Sequence, residues 1–125
     1  MKQAVSSPAA PAAIGPYSQA VVSGGVVYVS GQLPIDPATG QMPAAAADQA
    51  RQSLKNIAAI LEAAGSSLAQ ALKVGVFLTD LGDFQAVNEV YAELFAGAAF
   101  PARSTVQVAA LPKGAKVEID AVAAL

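Results

Sequence analysis

Only two stretches of this chain carry apolar residues at helical spacing, while five others read as strands. Two helices must therefore serve a sheet that they cannot cover on both sides. In the first helical stretch Ala50, Leu54, Ile57, Leu61 and Ala64 recur every three or four residues, with Gln49, Arg51, Gln52, Lys55 and Glu62 mainly elsewhere around the wheel. Gly65 is its expected stop. In the second, Asp83 is the expected N-cap, Phe84, Val87, Tyr91 and Leu94 mark the buried side, and Gly97 the end. Strands are expected at Ala20–Ser23, Val26–Gln32, Leu72–Leu78, Thr105–Ala109 and Lys116–Ala124. In Leu72–Leu78, alternation puts Leu72, Val74, Val76 and Leu78 on one side. Gly24-Gly25 reads as a tight turn, Pro34, Pro37 and Gly40 as a loop, and Leu111-Pro112-Lys113-Gly114 as a second turn. The Pro- and Ala-rich first sixteen residues read as an extended lead-in.

The expected order is ββαβαββ, an α+β fold of one mixed sheet with both helices on one face, and residues 1–125 read as a single domain. Val and Ala occupy both sides of the last strand, so the face without helices is left apolar, which predicts association through it. Charged residues make up only 13% of the chain, which points the same way. An Ala-biased composition is the plainer alternative.

Several function classes lose their physical basis. The net charge is −2 and Lys and Arg are scattered, so no basic stripe exists to neutralise phosphates and nucleic acid is not an expected partner. No apolar run is long enough to span a bilayer, and no membrane partner is expected. Met1-Lys2-Gln3-Ala4 has no apolar run behind it, so no secretory leader is expected and the cytoplasm is the default location. With neither His nor Cys, a Ser-His or Cys-His nucleophile is impossible, and carboxylates are the only strong metal ligands. No metal and no cofactor are expected.

Among the residues that remain, Arg103 follows Pro101-Ala102 at the mouth of a strand in an uncharged stretch, where a guanidinium fork suits a carboxylate; a surface Arg paired to an acid is the competing reading. Glu118 lies in mid-strand, opposite Val117 and Ile119, with Asp120 on its own side as a rival acid. Gly31, after Ser30, permits close approach of a ligand to backbone, although a strand end explains it as well. Tyr17 offers a phenol and Asn88 an amide, each with an ordinary packing or solvated alternative. Together these describe a metal-free pocket with one cation, one or two carboxylates and hydroxyls.

Three separated motifs then resemble one family. They are Ala12-Ala13-Ile14-Gly15-Pro16-Tyr17-Ser18-Gln19-Ala20, Val29-Ser30-Gly31-Gln32-Leu33-Pro34, and Pro101-Ala102-Arg103-Ser104-Thr105-Val106 followed by Leu111-Pro112 and Val117-Glu118-Ile119. Gln49-Ala50-Arg51-Gln52-Ser53-Leu54 agrees as well. The resemblance is to the RidA/YjgF family, in its reactive-intermediate deaminase branch, and covers nearly the whole chain. It implies a chorismate-mutase-like fold, a homotrimer with clefts between subunits, and small 2-imino acid substrates. The implied reaction is hydrolysis of 2-iminobutanoate and 2-iminopropanoate, with their enamine tautomers, to 2-oxo acids and ammonia. Such imines arise when pyridoxal-phosphate dehydratases act on threonine or serine.

Carried over position by position, the resemblance makes Arg103 the holder of the substrate carboxylate and Glu118 the residue that orients and activates water. Ser30, Gly31 and Asn88 would line the cleft, and Tyr17 would close it from the neighbouring subunit. Thr105 stands where several relatives carry Cys, so no thiol is needed, and backbone groups around Thr105 could bond the imine. The segment before Phe100 is shorter than in some relatives, which affects the cleft rim. Rival readings are a non-enzymatic ligand binder, a chaperone-like protein using the apolar face, and a different amidohydrolase on the same scaffold.

Overall fold

Gly24 and Gly25 both take positive φ, 57° and 76°, as a two-residue turn between right-twisted strands requires. They join β2 (Ala20–Ser23) to β3 (Val26–Gln32) in an antiparallel hairpin with Ser23 opposite Val26. The computed structural model describes residues 1–125. The lead-in is not wholly irregular: β1 (Gln3–Val5) pairs with β2 at the sheet edge, a strand of three residues too short to show a pattern. After the hairpin come α1 (Ala46–Ala63), β4 (Ala71–Leu78), α2 (Phe84–Leu94), β5 (Ala102–Gln107) and β6 (Val117–Ala124).

The strands lie in the order β1-β2-β3-β6-β4-β5, and only β4 and β5 are parallel neighbours. The last strand, β6, inserts between β3 and β4 and runs antiparallel to both. The two connections through α1 and α2 therefore join parallel strands and move the same way across the sheet. Such crossovers are almost always right-handed, which drops both helices onto one face. There α1 lies on β3 and β6, and α2 packs beside α1. Leu54, Ile57, Ile60 and Leu61 of α1 pack with Val27, Val74, Val76, Val117 and Ile119 in one core of 22 buried residues. Alternation along β6 is complete: Val117, Ile119, Ala121 and Ala123 are buried, while Glu118, Asp120, Val122 and Ala124 stay half-buried on the open side. Tyr28, Phe77, Val106 and Val122 share that open face, largely apolar as expected, with Glu118, Asp120, Lys73 and Ser104 as its polar members.

Helix ends and one strand refine the sequence reading. Gly65 follows α1 with φ 85°, and the amides of Gly65 and Ser66 return to Glu62 O and Leu61 O at 3.0 and 2.8 Å, a Schellman stop. Asp83 holds the N-cap position of α2, as expected, but its side chain makes no capping hydrogen bond. A 3-10 turn at Leu81–Asp83 runs straight into the helix, and Asp80 caps that turn by accepting from Gly82 N at 2.7 Å. The helix stops at Leu94, before Gly97, and Phe84 is turned out of the core. An irregularity between Ala71 and Lys73 in the pairing with β6 rotates Leu72 outward and leaves Ala71 in the core. The fifth strand starts three residues earlier than the apolar pattern indicated, because Ala102, Arg103 and Ser104 pair in parallel with Lys73, Val74 and Gly75.

Two buried amides on α1 fix the loop that follows β3. Asn56 Nδ2 donates to Leu33 O at 3.1 Å and Ile35 O at 2.9 Å, and Gln49 bridges Pro43 O and Lys116 N, both at 2.8 Å. Removing Asn56 strands these carbonyls. Asn56→Ala is therefore expected to lower unfolding free energy by about 1–3 kcal/mol, measured by denaturant titration.

Candidate active site

Phe84, Asn88 and Tyr91 stand at i, i+4 and i+7 on α2 and so share one helical side, which faces β5. There they meet Arg103. Asn88 Oδ1 accepts from Arg103 Nη1 at 2.6 Å, and the guanidinium lies over the Tyr91 ring at 4.6 Å and near the Phe84 ring at 5.7 Å. No carboxylate pairs with Arg103; the one ion pair in the structure joins Arg51 to Glu93 on the helix exterior. The competing expectation of a surface Arg tied to an acid therefore fails. A crevice of about 420 Å³ opens beside the guanidinium, lined by Asn88, Tyr91, Ala92, Phe100, Pro101 and Arg103. Its apolar rim includes Phe100, which is 63% exposed.

Thr105 lies two residues along β5 on the same side as Arg103. Its hydroxyl is shut in and has no hydrogen-bond partner, and it does not border the crevice.

The other predicted residues gather elsewhere. A second crevice, of about 990 Å³, is bordered by Tyr17, Ser30, Gly31 and Glu118, with Lys113 on its rim. Glu118 projects from the open face of the sheet, whereas Arg103 projects toward the helices, so within one chain the two do not share a crevice. Gly31 earns its place here: a Cβ at position 31 would stand 2.8 Å from Glu118 Oε1, so only glycine lets that carboxylate lie across β3. The pairing of β3 with β6 is irregular between Val29 and Gln32, a distortion that re-aims side chains at this point.

The Ser30 hydroxyl is already engaged. It donates to Ser18 O at 2.6 Å, and Ser30 N donates to Gln19 O at 2.9 Å, so Ser30 ties down the N-terminal arm that carries Tyr17. Gln19 completes the fastening, a role the sequence reading missed. Its buried amide accepts from Ser7 N at 2.6 Å and donates to Pro11 O at 2.7 Å. The arm thus holds Ile14 and Tyr17 outward at 82% and 51% exposure, two large apolar groups without a partner in the single chain.

Two carboxylates on the open face are held where charge is disfavoured. Burial first, and the charge of Asp120 second, push the Glu118 carboxyl above its ordinary range. Burial also raises Asp120, opposed by hydrogen bonds from backbone amides, that of Gly75 foremost, and by Lys73. Asp120 Oδ1 accepts from Gly75 N at 3.0 Å across the strand pair.

Comparison with known proteins places these features in a family. Residues 7–125 match the family model described as endoribonuclease L-PSP. The chain is 54% identical over 126 residues to the RutC family protein y4sK of Sinorhizobium fredii, covering 100% of this chain and 99% of that one. It is 50% identical over 125 residues to the 2-iminobutanoate/2-iminopropanoate deaminase of Escherichia coli, covering 98% of each. Among solved structures, Escherichia coli TdcF with bound serine superposes with a TM-score of 0.95 at 50% identity, again over 98% of both chains.

The raised carboxyls have a stability consequence. Folded Asp120 binds its proton more tightly than unfolded Asp120, so its contribution is fully present below the ordinary carboxylate range and is lost as pH rises through the raised folded value. Asp120→Asn keeps an oxygen for Gly75 N and removes the buried charge. It is expected to raise the melting temperature at about pH 7–8 and change it little at about pH 3, where the carboxyl is protonated in both states. An equal effect at both pH values refutes burial as the cause.

Proposed function

The chain belongs to the RidA/YjgF family, whose model is described as endoribonuclease L-PSP, and from that membership we propose that it hydrolyses 2-imino acids, 2-iminobutanoate and 2-iminopropanoate among them, to 2-oxo acids and ammonia. One observation supports this most directly: a guanidinium at a crevice wall with its charge unpaired and only one of its N–H groups engaged. A carboxylate-bearing substrate supplies the missing partner. The net charge of −2 and the absence of a basic stripe speak against RNA as substrate. No helix is long and apolar enough to cross a membrane, and the cytoplasm is the proposed location.

The catalytic cleft is composite. Arg103 and Asn88 of one copy face Tyr17, Ser30, Gly31 and Glu118 of the next, with the copies joined through the open sheet face in a homotrimer. This assembly covers Tyr28, Phe77, Val106 and Val122 and gives Ile14 and Tyr17 a surface to close on. Thr105 acts through its backbone, since its hydroxyl is shut in.

In that cleft Arg103 fixes the substrate carboxylate next to the imine carbon. Glu118 takes a proton from the attacking water, the carbon–oxygen bond forms, and a carbinolamine results. Glu118 passes that proton to the amino nitrogen, the carbon–nitrogen bond breaks as the hydroxyl gives its proton to Glu118, and ammonia leaves as the 2-oxo acid forms. A protonated imine is already electrophilic, so positioning and charge do most of what the protein must supply.

Arg103→Ala removes a charge-assisted contact worth about 2–5 kcal/mol and is expected to abolish acceleration of imine decay in a coupled threonine dehydratase assay without loss of fold. Arg103→Lys is also poor, because a point charge cannot replace the fork. Full activity in a folded Arg103→Ala chain excludes the anchor role.

Arg103→Ala and Glu118→Gln chains, each inactive alone, regain activity when co-expressed, with about a quarter of the clefts carrying both intact residues in a randomly mixed ring. Mixed assemblies that show no recovery place both residues in one chain's site and refute the composite cleft.

A further inference from the structure

A carboxylate that holds an arginine in place also engages its donors and offsets its charge. Arg103 is held by neutral groups alone: the Asn88 amide oxygen at 2.6 Å, the Tyr91 ring at 4.6 Å and the Phe84 ring at 5.7 Å. Tyr91 is the most firmly placed of the three. It is 5% exposed, and its ring packs, tilted by 39°, against the buried Phe95 at a centroid distance of 4.5 Å. Its hydroxyl is buried and makes no hydrogen bond, so the phenol oxygen contributes nothing visible to the fold. Burial holds the phenol above its ordinary range although Arg103 pulls it down, so the ring is uncharged wherever the protein works.

We propose that Tyr91 is a positioning residue for the reaction: the face of its ring holds the Arg103 guanidinium in one orientation without neutralising it, leaving the outward N–H edge and the full charge for the substrate carboxylate. The proposal rests on the reading of Arg103 as the carboxylate anchor. A planar cation over a ring face keeps its in-plane donors free, whereas a bidentate acid would occupy two of them. The carboxylate does not change between bound substrate and transition state. Loosening its anchor therefore weakens both equally, which appears in KM and not in kcat.

The test compares Tyr91→Leu with Tyr91→Phe. Tyr91→Leu removes the ring face and is expected to raise KM for the imine, and Kd for 2-oxobutanoate measured by calorimetry, about three- to thirty-fold with kcat changed less than about twofold. Tyr91→Phe keeps the face and loses only an unpartnered hydroxyl; it restores both constants to near the parent values and melts no lower. A merely structural role gives the opposite split, a kcat reduced by the fraction misfolded at an unchanged KM.

Should Tyr91→Leu fail to fold, the parent chain still decides. The Arg103 Nε–H proton resonance, identified by its loss in Arg103→Lys, is displaced upfield by the ring current and stays displaced in Tyr91→Phe. An Nε–H proton at its unstacked position, or a folded Tyr91→Leu chain with unchanged KM and Kd, overturns the proposal. Absence of imine hydrolysis by the parent chain overturns the deaminase reading instead, and leaves the ring-current shift and 2-oxobutanoate binding to judge Tyr91.

Discussion

The handedness of two crossovers governs this molecule. Because β3 connects to β4 through α1, and β4 to β5 through α2, in the same direction across the sheet, both helices must lie on one side. The alternation of every strand is then read against that side. Val117, Ile119, Ala121 and Ala123 go under the helices, and whatever stands between them faces outward. The core needs no long side chains from the central strand, since α1 supplies Leu54, Ile57, Ile60 and Leu61. What remains is a sheet with one finished face and one unfinished face, and the candidate residues Arg103 and Glu118 are divided between them.

That division explains why a single chain holds two partial sites. Arg103 belongs to the helix side through its contacts with α2, and Glu118 belongs to the open side through its place on β6. No rotamer change brings them into one crevice, because the sheet itself lies between. The proposed composite cleft resolves the separation and gives the open apolar face a covering at the same time.

The sequence made the framework legible where periodicity is long and uninterrupted. In α1, Ala50, Leu54, Ile57 and Leu61 are all fully buried, and Gly65 closes the helix as its type and place indicated. Legibility failed where pairing, not pattern, decides. Gln3–Val5 is a strand only because β2 offers an edge, and Ala102–Ser104 join β5 only because β4 runs parallel beside them. The capping hydrogen bond fell to Asp80, not Asp83, because a 3-10 turn precedes the helix. In the proposed site, Arg103 stood out by its place in an uncharged stretch, and Glu118 by its mid-strand position between Val117 and Ile119, with Asp120 as a rival. Tyr91 and Phe84 could not be told from core aromatics by type alone, though their spacing from Asn88 placed all three on one helical side. Ser30 borders the second crevice as its motif suggested, and its hydroxyl also fastens the arm bearing Tyr17, which no pattern announced.

The two crevices also differ in how they treat charge, and the difference suits the proposed reaction. On the helix side neutral partners surround Arg103, so its charge is kept whole for an anion. On the open side burial and the neighbouring Asp120 lift Glu118, which makes its carboxylate a stronger proton acceptor than an exposed glutamate. A group that must hold a carboxylate unchanged through the reaction gains from an undiminished cation. A group that must take a proton from water and give it up again gains from a pKa nearer neutrality. In the proposed hydrolysis the substrate imine carries much of the reactivity itself, and these two adjustments, one on each face of the sheet, supply the anion hold and the proton acceptor that remain.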